Sequence, residues 1–154
     1  MQVGDFLDFD AISTRLSGGN KRSLLQQLAN LAGHRLNVDP AAILATVTER
    51  EQLGSTGFGQ GVAIPHGKID GLSQIYGMFA RLSEPIDYKA IDGKPVDLVF
   101  LLLSPPDSGA EHLKALAAIS RVTRHLPTLE KMRGARSRDA LAAVLMGADE
   151  RDAA

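Results

Sequence analysis

Leucine spacing predicts a helix near the N-terminus. Over residues 18–36 leucines recur at helical spacing, Asn20 can cap the helix, and Gly33 can end it. A second helix is predicted over residues 38–54, because Asp39 can act as its N-cap and a proline follows at the first helical position. The pattern therefore predicts two consecutive helices, each burying one apolar face.

Three short apolar segments predict strands in the middle of the chain. Residues 62–64 are predicted to form a short strand that stops at Pro65, and residues 75–82 a longer one. Residues 96–103 are a nearly continuous apolar run, which is typical of a central strand covered on both faces.

Three helices are predicted for the C-terminal third, over residues 108–126, 129–133 and 138–146. Pro127 ends the first of them, and Ser137 caps the last. Residues 148–154 are polar and predicted to be a frayed tail. Helices that alternate with short strands around one buried strand predict an α/β fold in layers, formed by a single domain over residues 1–154.

Composition narrows the class of protein. The chain has no cysteine, which excludes a disulfide framework, an iron–sulfur cluster, a thiol nucleophile and cysteine-ligated zinc. The formal net charge of -1 argues against nucleic-acid binding, which usually needs a basic excess. The longest apolar run, Leu98–Leu103, is too short to cross a membrane, and the N-terminus lacks the pattern of a secretory signal. We therefore expect a cytoplasmic protein without membrane insertion.

His66 stands in a distinctive local sequence. It follows Pro65 at the end of a predicted strand and precedes Gly67, after four glycines that predict a loop over residues 54–61. Proline fixes its own backbone and keeps the preceding residue extended, so the imidazole stands on a stiff base with open space beside it. Ligands of α/β sheets bind beyond strand ends, which makes His66 the first candidate site residue. The alternative is a turn histidine without a role.

His112 and Arg50 are the next candidates. His112 lies in the first turn of the helix after the buried strand, where the helix dipole disfavours an imidazolium and favours a nearby phosphoryl group. It could meet His66 at one edge of the sheet, or it could only cap and pack. Arg50 lies in the last turn of the second helix, where a cation suits the dipole, yet its planar fork also suits phosphate oxygens. His34 and His125 are interpreted as surface residues.

The motifs that are missing restrict the chemistry. The chain contains no HExxH or HxH metal motif, no GxSxG nucleophile elbow and no GxxxxGK[ST] phosphate loop. Two histidines and an arginine without a carboxylate cluster make a poor hydrolytic metal site, so no metal and no cofactor are expected. A nucleophilic imidazole that accepts a phosphoryl group fits better, with a second neutral imidazole, an arginine and helix N–H groups to stabilise the moving charge.

Over about residues 10–146 the chain resembles the EIIA domains of the bacterial phosphoenolpyruvate-dependent phosphotransferase system, in the fructose–mannitol–nitrogen class. The specific part is "TEREQLGSTGFGQGVAIPHGKID", followed in order by "PIDYKAIDGKPVDLVFLLLSP" and "EHLKALAAIS". The first two stretches are more similar to the nitrogen-regulatory branch than to the mannitol branch. The resemblance implies a single mixed sheet with helices on both faces, a three-layer α/β/α sandwich.

The resemblance also implies roles. The histidine of the family's "PHG" motif takes the phosphoryl group, and here it is His66; the histidine at the "HL" helix start lies beside it, and here it is His112. The arginine of the "RE" pair lines the pocket, and here it is Arg50. The implied donor is phosphorylated NPr, an HPr-like carrier that a dedicated enzyme I charges from phosphoenolpyruvate. The implied targets are regulated proteins such as transporters or sensor kinases.

Three other functions stay open at this point. The chain could be the EIIA component of a fructose- or mannitol-type sugar system that passes phosphate to a separate EIIB. It could be a regulatory binding module that does not use phosphotransfer, although an intact His66 speaks against this. A metallohydrolase is the least favoured alternative.

Overall fold

The computed structural model describes the backbone of residues 1–153 and the side chains of residues 1–147. The helices are α1 Lys21–Leu36, α2 Pro40–Gln52, α3 Ala110–Thr123, α4 Leu126–Gly134 and α5 Arg138–Ala153. The strands are β1 Ser13–Leu16, β2 Gly57–Gly59, β3 Val62–Ala63, β4 His66–Lys68, β5 Tyr76–Ile86 and β6 Val96–Ser104. Two short 3-10 helices, Val3–Asp5 and Phe9–Ala11, precede β1.

The strands form one mixed sheet. Its order is β1-β5-β6-β3-β2, and β4 also pairs with β6. β5 and β6 are antiparallel, as are β2 and β3, whereas β1 runs parallel to β5 and both β3 and β4 run parallel to β6. β6 therefore lies at the centre of the sheet, as the nearly continuous apolar run predicts.

Helices cover both faces of this sheet. One apolar cluster joins α1 and α2 to one face, and a second joins α3, α4 and α5 to the other. The side chains of β6 alternate between the clusters, with Leu102 in the cluster of α3–α5 and Leu103 in that of α1 and α2. The predicted fold class, a mixed sheet between two helical layers, is confirmed.

The helix starts agree with the predicted caps, but α1 does not end where predicted. Asn20 accepts a hydrogen bond from the Ser23 backbone N–H at 2.8 Å, and Asp39 accepts one from Ala41. Gly33 does not end α1, which continues to Leu36. A Cβ at Gly33 would lie 2.7 Å from Pro40, so the glycine permits close packing of α1 against the start of α2.

Three strands are absent from the sequence prediction: β1, β2 and β4, the last of which holds His66. β2 lies inside the predicted 54–61 loop, where glycines pair with β3 through backbone groups alone. The four residues of β1 are all partly exposed or exposed, so this strand lacks the alternation of buried and exposed positions that would mark it. The longer strand, β5, also extends beyond its predicted end at residue 82 to Ile86.

The C-terminal helices differ from the prediction in their ends. α3 stops at Thr123, and Pro127 lies in the first turn of α4 instead of ending α3. The predicted end of the last helix at Gly147 is wrong, because α5 continues to Ala153. The predicted tail, residues 148–154, therefore overlaps α5 in its backbone, while its side chains and Ala154 lie outside the described residues.

Candidate functional site

His66 lies on a strand rather than in a loop beyond one, which corrects the sequence prediction. Pro65 has no N–H to donate, but its carbonyl accepts a hydrogen bond from the Leu102 N–H at 3.0 Å. The chain therefore stays extended past the proline and pairs with β6 again, with His66 opposite Leu102. In the described part of the chain β6 is the only strand that pairs with β4, so the other edge of β4 is left open beside His66.

Gly67 sets the direction of the His66 side chain. Successive residues of a strand point to opposite faces, and a Cβ at Gly67 would lie 2.5 Å from the Thr46 methyl group of α2. β4 therefore packs directly under α2 at Gly67, while His66 points to the face that carries α3. A glycine is needed here because of this close approach and not because of a left-handed backbone.

The His66 imidazole is half-buried and held by its own strand. Its Nδ1 lies 2.7 Å from the carbonyl oxygen of Ile64. A carbonyl can only accept a hydrogen bond, so Nδ1 carries the hydrogen and Nε2 of the neutral ring keeps a free lone pair. Burial lowers the pKa of His66 below its usual value; the bond to Ile64 opposes this shift, and the charge of Arg50 adds to it. The ring is therefore neutral, and the lone pair of Nε2 is available for a bond.

His112 lies beside His66 in the first turn of α3. The two ring centroids are 5.5 Å apart, with the planes tilted by 51°. His112 is only 8% exposed, and its Nδ1 is 2.6 Å from the Oγ of Ser104, the last residue of β6. Burial first, then repulsion from His66 when its ring is protonated and from the charge of Lys68, lower the pKa of His112 to about 4. The structure thus brings together the two histidines that the sequence singles out, both neutral at pH 7.

Arg50 approaches the same edge from α2. It lies in the last turn of this helix, and its Nη1 donates a hydrogen bond to the Gly54 carbonyl at 2.8 Å. Its charge is close enough to lower the pKa of His66. Arg50 therefore lies at the C-terminal end of α2, where the helix dipole favours a cation, and it also brings positive charge to the site. His34 is exposed on α1, and the Nδ1 of His125 bonds to Thr128 at 2.8 Å, so neither faces this pair.

Glu51 is a residue of the site region that sequence reasoning missed. Its side chain is 5% exposed and forms an ion pair with Lys21 at 2.7 Å. The carboxylate also accepts hydrogen bonds from the Thr56 N–H and hydroxyl and from the Tyr88 hydroxyl. Burial raises the pKa of Glu51, but these donors outweigh burial and the net shift is downward. A glutamate beside an arginine at a helix end is usually exposed, and the burial of Glu51 depends partly on Lys21 and Tyr88, which are distant along the chain.

His112 is expected to make stability depend on pH. Its pKa is about 4 in the folded protein and near 6.5 when unfolded, so the unfolded state binds the proton first. This contribution is complete above pH 6.5 and is lost as the pH falls toward 4; between pH 7 and 5 it should remove about 2 kcal/mol. Urea unfolding at both pH values measures this loss, which His112→Gln should reduce and the exposed control His34→Gln should not. An equal loss in wild type and His112→Gln would contradict the prediction.

No group of histidines and acidic residues that could hold a metal ion occurs among the described residues. Likewise, none of the helices in the described part is long and apolar enough to span a membrane.

Comparison with known proteins identifies the family. The family model for the phosphoenolpyruvate-dependent sugar phosphotransferase system, EIIA 2, matches residues 5–147. The chain is 45% identical over 145 residues to a nitrogen regulatory protein of Bradyrhizobium diazoefficiens, covering 94% of this chain and 95% of that protein. It is also 37% identical over 144 residues to a fructose-specific EIIA component of Haloferax volcanii, covering 93% and 94%.

A solved structure gives the same relationship. The crystal structure of nitrogen regulatory protein IIA-Ntr from Neisseria meningitidis superposes with a TM-score of 0.87 at 35% identity, covering 93% of this chain and 98% of that one. The sequence match spans the helices and strands that hold both histidines and Arg50. The chain belongs to the EIIA type 2 family of the phosphoenolpyruvate-dependent phosphotransferase system.

Proposed function

We propose that the chain is a phosphohistidine carrier that accepts a phosphoryl group on Nε2 of His66. The observation that carries this proposal is the bond from Nδ1–H to the Ile64 carbonyl, which leaves Nε2 unprotonated in a neutral ring. Its lone pair attacks the phosphorus of a donor phosphohistidine whose ring carries a hydrogen on its other nitrogen, and a new N–P bond forms. The donor's N–P bond breaks with its electron pair returning to the donor ring, which leaves as a neutral imidazole, while His66 keeps its Nδ1 hydrogen on the Ile64 carbonyl. The donor would be an HPr-like carrier, phosphorylated NPr.

The surroundings of His66 suit the charge that arrives. A phosphoryl group adds about -1.5 to -2 charges at neutral pH. Arg50 supplies a positive charge at one side, and His112 offers a neutral ring at the other. The buried carboxylate of Glu51, which acts on His66, is paired with Lys21 and therefore opposes the anion less than a free carboxylate would. In this proposal His112 stabilises the phosphorylated state and Arg50 contacts phosphate.

The phosphorylation state would then regulate other proteins. Two leucines close to site residues along the chain are exposed. Leu53, just after α2, is 84% exposed, and Leu113, next to His112, is 66% exposed. A partner that docks against the face carrying His66 would have to bury the new dianion, which is costly without a matching cation. We therefore expect regulated partners, transporters or sensor kinases among them, to bind the unphosphorylated form more tightly. The likeness to nitrogen regulatory proteins favours regulation of the nitrogen or potassium type, in the cytoplasm.

The second candidate function is transfer of the phosphoryl group to a separate EIIB for sugar uptake. The observation in its favour is the 37% identity to a fructose-specific EIIA component. The chemistry at His66 would be the same, and only the acceptor would differ. A binding module without phosphotransfer is less favoured, because it would not need a histidine whose Nε2 is kept free.

Incubation with phosphoenolpyruvate, enzyme I and an HPr-like carrier is expected to add one acid-labile phosphoryl group. Intact-mass measurement detects the gain, and leaving out the carrier is the control, since His66 should not react with phosphoenolpyruvate itself. Adding purified EIIB then separates the two candidate functions, because only a sugar EIIA should lose its label to it. Absence of any mass gain with active carriers would contradict both.

A further inference from the structure

Ser104 is a buried residue of the site to which no role has been given above. It is the last residue of β6 and is 0% exposed. Its backbone carbonyl accepts a hydrogen bond from Ile69, and its register partner in β4 is Lys68. Its hydroxyl lies 2.6 Å from Nδ1 of His112. Both backbone and side chain therefore fix its position at the site.

The direction of this hydrogen bond follows from the partners available. A serine hydroxyl has one hydrogen to donate, whereas its lone pairs can stay unused at less cost. Among the described residues Nδ1 of His112 is the only partner of the Ser104 Oγ. If Nδ1–H were the donor, the buried hydroxyl hydrogen would have no acceptor. The hydroxyl therefore donates to Nδ1, and the hydrogen of the neutral His112 ring lies on Nε2.

His66 and His112 are thereby held in opposite tautomers. In His66 the Nδ1–H donates to a carbonyl and Nε2 keeps its lone pair. In His112 Nδ1 accepts from a hydroxyl and Nε2 carries the hydrogen. Nε2 of His112 has no hydrogen-bond partner among the described residues. With the rings 5.5 Å apart, one offers a nucleophile and the other a neutral N–H donor.

We propose that Ser104 is a positioning residue that holds His112 in the Nε2–H tautomer, so that this N–H donates to a phosphoryl oxygen on His66. The inference rests on the proposed function, because it identifies the residue that orients His112 toward the phosphoryl group. A neutral donor stabilises the phosphoryl oxygens without a proton having to be taken up first. Loss of the hydroxyl frees the ring to adopt the other tautomer, in which Nε2 has a lone pair that repels those oxygens.

The first test measures the tautomer directly in the unphosphorylated protein. Long-range proton–nitrogen NMR spectra should show His112 as the Nε2–H form in the wild type and a mixture in Ser104→Ala. Thr123→Val is the matched control, because it removes another buried hydroxyl, whose partner is the Ile119 carbonyl of α3. This control should leave the His112 spectrum unchanged. A wild-type ring in the Nδ1–H form would overturn the inference without any variant having to fold.

The second test measures phosphoryl uptake and the lifetime of phosphohistidine. Loss of one positioning hydrogen bond corresponds to about a threefold to tenfold change, so Ser104→Ala should shorten the lifetime or slow uptake by this factor. In a His112→Ala background the same substitution should have no further effect, since a positioning residue acts through the ring it orients. A Ser104→Ala protein that behaves as wild type, or a full additional effect without His112, would overturn the inference while leaving phosphorylation of His66 intact. A wild type that takes up no phosphoryl group would instead overturn the proposed function, and this inference with it.

Discussion

His66→Ala is expected to abolish phosphoryl uptake while the protein stays folded. The substitution removes Nε2, the proposed nucleophile, which is unprotonated because the ring hydrogen lies on Nδ1 and bonds to the Ile64 carbonyl. His112 should not replace it, because a ring with hydrogen on Nε2 and a buried Nδ1 has no exposed lone pair. We expect uptake to fall by at least about a thousandfold, as for loss of a covalent nucleophile. His66 is half-buried at an open strand edge, so its loss should cost only about 1 kcal/mol of unfolding free energy.

Intact mass after incubation with the phosphorylated carrier measures the uptake, and thermal unfolding measures the stability. His125→Ala is the matched control, because it removes a partly buried histidine whose partner is Thr128 and not the site. The control should be phosphorylated normally. Normal uptake by His66→Ala would remove this residue from the mechanism.

Glu51→Ala is expected to cause a large loss of stability. The carboxylate of Glu51 on α2 binds Lys21 of α1, Thr56 in the loop before β2, and Tyr88 between β5 and β6. Its removal leaves the Lys21 ammonium, which is only 24% exposed, without its partner, and leaves the Tyr88 hydroxyl with Thr56 alone. Breaking a buried ion pair of this kind costs about 3 kcal/mol.

The stability contributed by the Glu51 carboxylate should depend on pH, and the direction follows from its pKa. The pKa of Glu51 is lowered in the folded protein, so its contribution is present above the unfolded pKa and is lost as the pH falls through the folded value. The difference in unfolding free energy between wild type and Glu51→Ala should therefore shrink in acid. Glu49→Ala, on the exposed side of the same helix, should change stability by less than about 0.5 kcal/mol. Equal stabilities for the two variants at pH 7 would contradict a structural role for the Glu51 network.

Local sequence signals predicted much of this fold. Asn20 and Asp39 mark helix starts because a short polar side chain can satisfy free N–H groups within its own turn. β6 could be placed because burial on both faces leaves a run of apolar residues that few other elements show. His66 and His112 were singled out by their neighbours along the chain, and the structure places their rings side by side.

Features that depend on distant partners could not be predicted in this way. β2 is held by backbone pairing of glycines, which leaves no pattern in the side chains. Pro65 signals the end of a strand, yet its carbonyl bonds to Leu102 and the strand resumes at His66. The buried face of α3 does not follow from residue type alone, because Leu113 is 66% exposed while Ala115 is fully buried in the cluster of α3–α5.

The parallel pairing of β4 with β6 has a consequence for the order in which the protein folds. β5 and β6 are consecutive antiparallel strands and can form a hairpin early, because only a short loop must close. His66 and Leu102 are separated along the chain by β5 and most of β6, so their pairing must close a long loop. His112 follows β6 in the chain and joins the site later still. Pairings between distant segments form late, since the loop entropy is lost before the contacts are gained. During synthesis His66 therefore leaves the ribosome well before Leu102 and His112, and a chain that stops short of α3 lacks the His66–His112 pair. Under the proposed function, phosphorylation of His66 would be confined to molecules that have completed their fold.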